Sequence, residues 1–138
     1  MAVDGIVVSV TKAKSNADIT ILKVSGYLDT TTATELESAL NSLLKSRRYK
    51  VVVDLSGVTY ISSAGWGIFI GEIKEIRMNG GDLKLAGMIA DVHEVFLLLE
   101  FQTILQSFRT TDEAITAFAE GPPKIAKTGN NGFEPDNM

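Results

Sequence analysis

Tyr60-Ile61-Ser62-Ser63-Ala64-Gly65-Trp66-Gly67 stands where one hydrophobic pattern gives way to another. Before it, Lys50 to Leu55 is nearly continuous in apolar residues, and Val51-Val52-Val53 shows no polar alternation. A run of that kind is typical of a strand covered on both faces. Asp54-Leu55-Ser56-Gly57 reads as its end. After the junction, Trp66, Phe69, Ile70, Ile73 and Ile76 recur at helical spacing, leaving Glu72, Lys74, Glu75 and Arg77 for water. The spacing predicts a helix from roughly Ser63 to Asn79, stopped by Asn79-Gly80-Gly81. Two hydroxyls, Ser62 and Ser63, therefore sit where a strand hands over to a helix N-terminus. Backbone N–H groups and the helix dipole favour negative charge there, so a phosphate on Ser63 would lie in a favourable field. By that physics alone, a serine at a helix start is an N-cap.

Upstream, Ile6 to Val10 and Ile19 to Val24 are β-branched runs separated by a polar stretch, Thr11 to Asp18. They read as a strand pair with a longish loop. Gly26-Tyr27-Leu28-Asp29 breaks that pattern. Asp29 reads as an N-cap, and Thr32 with Glu35 has capping-box spacing. The helix that follows carries Ala33, Leu36, Leu40, Leu43 and Leu44 on one stripe, with Lys45, Arg47 and Arg48 in its last turn. Downstream, Leu83-Lys84-Leu85 reads as a short strand ended by Gly87. Asp91 reads as the cap of a short helix with Val92, Val95, Phe96 and Leu99 inward. Phe101 to Leu105 reads as a brief edge strand. Thr110 and Glu113 have capping-box spacing and open a last helix through Ala114, Ile115 and Phe118. From Gly121-Pro122-Pro123 onward little remains to bury, so residues 121–138 read as a disordered tail after a single domain, 1–120. Strands alternating with helices after a strand pair imply an α/β fold on a mixed sheet.

The totals narrow the function. The chain has 138 residues, enough for one domain with a real core. Its net charge of −4 opposes non-specific binding to a phosphate backbone. It has no cysteine and one histidine, His93, so it offers no His/Cys ligand cluster, and neither a metal nor a cofactor is expected. No apolar run is long enough for a membrane span, and the N-terminus lacks a signal-peptide pattern, which reads as cytoplasmic. There is no nucleophile elbow to join a serine to His93. Gly65 and Gly67 lack the third glycine of a dinucleotide fingerprint, because Ile70 stands there. Asp29 and Asp54 each end an extended segment and form a candidate carboxylate pair at one sheet edge, beside the simpler readings of helix cap and turn former.

Val52-Val53-Asp54-Leu55-Ser56-Gly57-Val58-Thr59-Tyr60-Ile61 followed by Ser-Ser-Ala-Gly-Trp-Gly resembles the STAS family, the domain of anti-sigma factor antagonists and of sulfate-transporter tails. Gly26-Tyr27-Leu28-Asp29 resembles the family's Gly-x-Leu-Asp motif, and Gly80-Gly81-Asp82-Leu83-Lys84-Leu85 its later Gly-Gly-x-Leu-x-Leu strand. The motifs agree in order over about residues 3–119. The resemblance implies a mixed sheet with helices packed around it and a role without catalysis. It implies an antagonist that binds an anti-sigma factor, itself a serine kinase of the histidine-kinase ATPase type, and so frees a sigma factor. The kinase phosphorylates a serine at the start of the second helix, and a PP2C-type phosphatase reverses this. In the common Asp-Ser-Ser-Gly-Leu-Gly pattern the first serine is the acceptor, which is Ser63 here. This chain has Ser62 in place of the aspartate, Ala64 in place of the second serine and Trp66 in place of the leucine, so Ser62 stands as an alternative acceptor. Asp29, Ser62, Ser63, Ala64, Gly65 and Trp66 are then the expected partner-binding residues, with a partly exposed Trp66 edge as an anchor or Trp66 as a core residue. A STAS scaffold in another phosphorylation circuit and a small-ligand or nucleotide sensor are the alternatives.

Overall fold

Val51, Val52 and Val53 are fully buried, and they face two different cores. Val51 and Val53 point into the larger one, Val52 into the smaller. The unbroken apolar run is thus the signature of a strand covered on both sides. The computed structural model describes residues 2–3 and 5–120; the expected tail, 121–138, lies outside them.

Eleven elements follow in order: β1 (Ala2–Val3), β2 (Ile6–Lys12), β3 (Thr20–Leu28), α1 (Ala33–Lys45), β4 (Lys50–Ile61), α2 (Ser63–Met78), β5 (Asp82–Ala86), α3 (Ala90–Leu98), a 3₁₀ turn (Phe101–Thr103), β6 (Gln106–Phe108) and α4 (Thr111–Ala119). The sheet runs β1-β2-β3-β4-β5-β6, so neighbours in sequence are neighbours in space. β1, β2 and β3 pair antiparallel, while β3 through β6 pair parallel. This is the expected α/β mixed sheet. Helices α1, α2 and α3 feed the large core on one face, through Leu36, Leu40, Trp66, Phe69, Ile73, Val92 and Phe96. Helix α4 covers Ile19, Val52 and Ala86 on the other. On that second face Lys84 is fully buried, its Nζ donating to Asp82 and Gln106 and lying 4.8 Å from the centre of the Phe118 ring.

The structure departs from the sequence reading at several element ends. Gly26 to Leu28 does not break β3 but continues it, and β4 does not stop at Asp54 but runs on to Ile61. Two register shifts between these strands explain both. They insert extra residues into β4, so that Leu55, Val58 and Ile61 are buried every third residue rather than every second. Asp91 is not the cap of α3; that position is Ile89, and Val95 and Leu99 point out rather than in. Phe101 to Thr103 forms the 3₁₀ turn, and the edge strand comes after it. Thr110 does cap α4, accepting the Glu113 N–H at 3.1 Å.

Helix α1 ends at Lys45, before Arg47 and Arg48. The Arg48 N–H donates to Leu43 O and the Arg47 N–H to Leu44 O, the pattern of a Schellman close. Arg47 occupies the left-handed position at φ 59°, where glycine is normally found. Its neighbour Arg48 reaches back to the hairpin loop, donating to Thr20 Oγ1 and Ala17 O. Replacing the exposed Arg47 by glycine is expected to stabilise the fold by up to about 1 kcal/mol, since relief of strain exceeds glycine's extra entropy. A rise in the urea midpoint with an unchanged slope checks this.

Candidate functional site

Leu28 and Ile61 are paired across β3 and β4 and are both buried, so each strand is pinned at its last residue. The residues after them, Asp29 and Ser62, therefore leave the sheet side by side at its carboxyl edge. The Ser62 N–H donates to Leu28 O at 2.7 Å and ties the two exits together. This is the edge at which α/β sheets place their sites.

Ser62 is the N-cap of α2, with extended backbone and its Oγ accepting the Gly65 N–H at 3.3 Å. It is half-buried. Ser63 is the first helical residue; it is exposed, and its side chain makes no hydrogen bond among the described residues. The N-cap role thus falls to Ser62 rather than to Ser63. No acidic side chain occupies the first turn of α2, so the positive end of the helix dipole has no carboxylate on its own helix. Ala64 is half-buried and Gly65 buried. A Cβ on Gly65 would come within 2.9 Å of Ile61 Cγ2 and Leu28 Cβ. Gly65 is the residue that lets α2 press against the end of β3.

Trp66 does not offer an exposed edge. It is 1 % exposed, and its ring packs 5.2 Å from Phe101 and 5.8 Å from Phe96. The reason lies in the helix phase: one turn past the cap, Trp66 shares a stripe with Phe69, Ile73 and Ile76 and is roofed by α3 and the 3₁₀ turn. Its Nε1 is buried without a hydrogen-bond partner among the described residues.

Asp29 is not the N-cap of α1, which is Thr32. Its Oδ1 accepts from the Thr31 N–H at 2.8 Å, the Thr31 hydroxyl at 2.6 Å and the Thr32 N–H at 3.2 Å. The Thr32 hydroxyl turns back to donate to Tyr27 O and accept from the Asp29 N–H, so the capping box with Glu35 does not form. The carboxylate therefore shapes the loop, and its Oδ2 makes no hydrogen bond among the described residues. The Thr31 hydroxyl above all, with the Thr31 and Thr32 amides adding to it, holds its carboxyl below the ordinary aspartate range; burial, the second-largest influence, pushes the other way. A lowered carboxylate contributes stability above its unfolded-state pKa and loses it as pH falls through the folded one. Thr31→Val is expected to move the Asp29 titration upward and to loosen the loop only in its own neighbourhood; carboxyl NMR across the acid range checks both.

Asp54 does not join Asp29. It lies inside β4, paired with Ala86, and its Oδ1 accepts the Ser56 N–H at 3.0 Å. The seven residues from Asp54 to Ile61 place it about 20 Å from the edge. His93 is half-buried and stacks on Phe96 at 6.0 Å. Among the described residues no group of three or more His, Cys, Asp or Glu could hold a metal ion, and no helix is long and apolar enough to cross a membrane. Thr31 escaped the sequence reading and Thr32 was read only as half of a capping box, although Asp followed at two positions by Thr is a turn signature.

The STAS domain family model matches residues 11–114. The anti-sigma-B factor antagonist of Staphylococcus epidermidis is 33% identical over 75 residues, which cover 54% of this chain and 69% of that one. In structure, an anti-sigma factor antagonist from Mycobacterium paratuberculosis superposes with a TM-score of 0.74 at 24% identity, covering 84% of this chain and 96% of that one. The anti-sigma factor antagonist SpoIIAA in its unphosphorylated form superposes with a TM-score of 0.64 at 14% identity, covering 84% and 100%. Motif order, fold and family match agree: the chain belongs to the STAS domain family and is similar to its anti-sigma factor antagonists.

Proposed function

We propose that this protein is an anti-sigma factor antagonist that works by partner switching and is controlled by phosphorylation of Ser63. Unphosphorylated, it binds an anti-sigma factor that is also a serine kinase of the histidine-kinase ATPase type. Phosphorylated, it lets go. A PP2C-type phosphatase resets it. The surface that meets the partner is the Asp29 loop with Ser62, Ser63 and Ala64; Gly65 shapes it from below.

The observation that carries this reading is the difference between the two serines. Ser63 is exposed and its hydroxyl is uncommitted, while the Ser62 hydroxyl is taken by the helix cap. A kinase needs a hydroxyl it can reach without unpicking the fold. The first turn of α2 also lacks any acidic group, so a phosphate there meets the helix dipole and no carboxylate of its own turn.

Intact mass with site localisation, on protein purified from its native cell before and after stress, tests the proposal. Phosphate on Ser63 is the expected result. Phosphate on Ser62 would keep the circuit and move the site. An unmodified chain under every condition would reject the switch.

A further inference from the structure

We propose that the outward face of α3 is a second docking surface, shaped for a basic amphipathic helix of a partner protein. A helix lying on a domain surface ordinarily turns its polar face to water. Helix α3 does not. Val92 and Phe96 are buried beneath it, yet Val95, Leu98 and Leu99 are 39%, 77% and 49% exposed. These three stand at i, i+3 and i+4, so they form one ridge rather than scattered side chains. Helical ridges of this kind are what apolar-faced partner helices pack against.

The charges around the ridge choose the occupant. One turn earlier on the same face, four residues before Val95 and Leu98, stand the exposed Asp91 and Glu94; Glu100 follows the ridge. Residues 90–100 contain no Lys or Arg. Arg109 lies on the other side of the helix, in a cleft it shares with Ala90 and His93. An apolar ridge with an acidic border matches apolar residues flanked by Lys or Arg. A second copy of this ridge would bring like charges together, and an anionic membrane surface would repel it. The chain's own Lys124-Ile125-Ala126-Lys127 has suitable chemistry but starts four residues past Glu120. Four residues span about 14 Å at most, while α4 lies on the opposite face of the sheet, two packed layers of about 10 Å each away.

Helix α3 touches the helix of the proposed switch through its buried face, and the ridge does not depend on that switch. Trp66, in the first turn of α2, packs against Phe96 of α3.

The test uses the full chain, methyl-labelled for NMR, and a synthetic helical peptide with leucines on one face and lysines along its borders. Its twin carries glutamates in place of the lysines. The lysine peptide is expected to give saturable shifts centred on Val95, Leu98 and Leu99, weakened by salt, while the glutamate peptide gives none. Leu98→Ser is expected to lower affinity about tenfold, and Glu94→Lys about as much. Leu98 is mostly exposed, so both variants should melt like the parent chain. Equal binding of the two peptides, shifts centred elsewhere, or a self-association in sedimentation that Leu98→Ser abolishes would each overturn the proposal. None of these readings involves Ser63. A chain that binds the peptide here but is never phosphorylated would sink the switch alone, and the reverse would sink the ridge alone.

Discussion

Trp66→Ala is expected to cost about 3–5 kcal/mol of folding stability, while Trp66→Phe costs less than about 1.5 kcal/mol. The alanine figure follows from complete burial between Phe69, Phe96 and Phe101, where α2, α3 and the 3₁₀ turn meet. Set against the 5–15 kcal/mol of roughly typical domains, that loss leaves a marginal fold. The phenylalanine figure is small for a different reason. The indole Nε1 is buried without an acceptor among the described residues, and an unpaired buried donor costs about 1–3 kcal/mol. Phenylalanine gives up the contacts of the indole's outer six-membered ring but removes that donor, and the two effects offset.

Trp66 is the chain's only tryptophan, so unfolding of the variants must be followed by far-UV circular dichroism rather than by fluorescence. If Trp66→Phe proved as damaging as Trp66→Ala, the indole N–H would have to be held by an acceptor. The same pair of variants separates the core from the interface. Because the ring is covered, Trp66→Phe should leave partner affinity unchanged, and a loss of affinity at full stability would return Trp66 to the contact surface.

The hydrophobic periods of α1 and α2 were readable because both helices lay one stripe on one core, and every residue of the α1 stripe is buried. Val51-Val52-Val53 was readable for the complementary reason, a strand with helices on both sides. The second half of β4 was not readable. Bulges give it burial every third residue, a period that belongs to neither a regular strand nor an α-helix. Helix α3 misled because its apolar residues lie on two faces, and composition cannot say which face meets the core. At the candidate site, the junction of strand and helix was legible as far as the pair Ser62-Ser63. Which serine caps the helix was not, since moving the helix start by one residue exchanges their roles; helix ends are uncertain by that amount in any pattern-based reading. Asp29 was visible as a polar residue leaving a strand, but its bonds to Thr31 and Thr32 depend on how the loop closes.

Phosphorylation of Ser63 is expected to weaken partner binding by a few hundredfold, equivalent to about 3–4 kcal/mol, while raising folding stability slightly, by about 0.3–1 kcal/mol. The two numbers have opposite signs because the same charge meets different surroundings. In the free protein, a phosphate of about −1.5 to −2 charges at the first position of α2 stays in water and faces the positive end of the helix. In a complex it must be desolvated beside the Asp29 loop, whose carboxyl is held ionised by Thr31 and Thr32. The switch therefore needs no change of fold. Ser63→Asp carries a smaller charge and should reproduce part of the loss, whereas Ser63→Ala should bind and resist release. Ser62 supplies the control. Its hydroxyl caps the helix, so Ser62→Ala is expected to cost about 1 kcal/mol of stability and to lower affinity far less than the phosphate does. Calorimetric affinity for the partner kinase, measured on phosphorylated Ser62→Ala and Ser63→Ala variants, settles which serine carries the switch: affinity lost on phosphorylating Ser62→Ala but not Ser63→Ala identifies Ser63, and the reverse identifies Ser62.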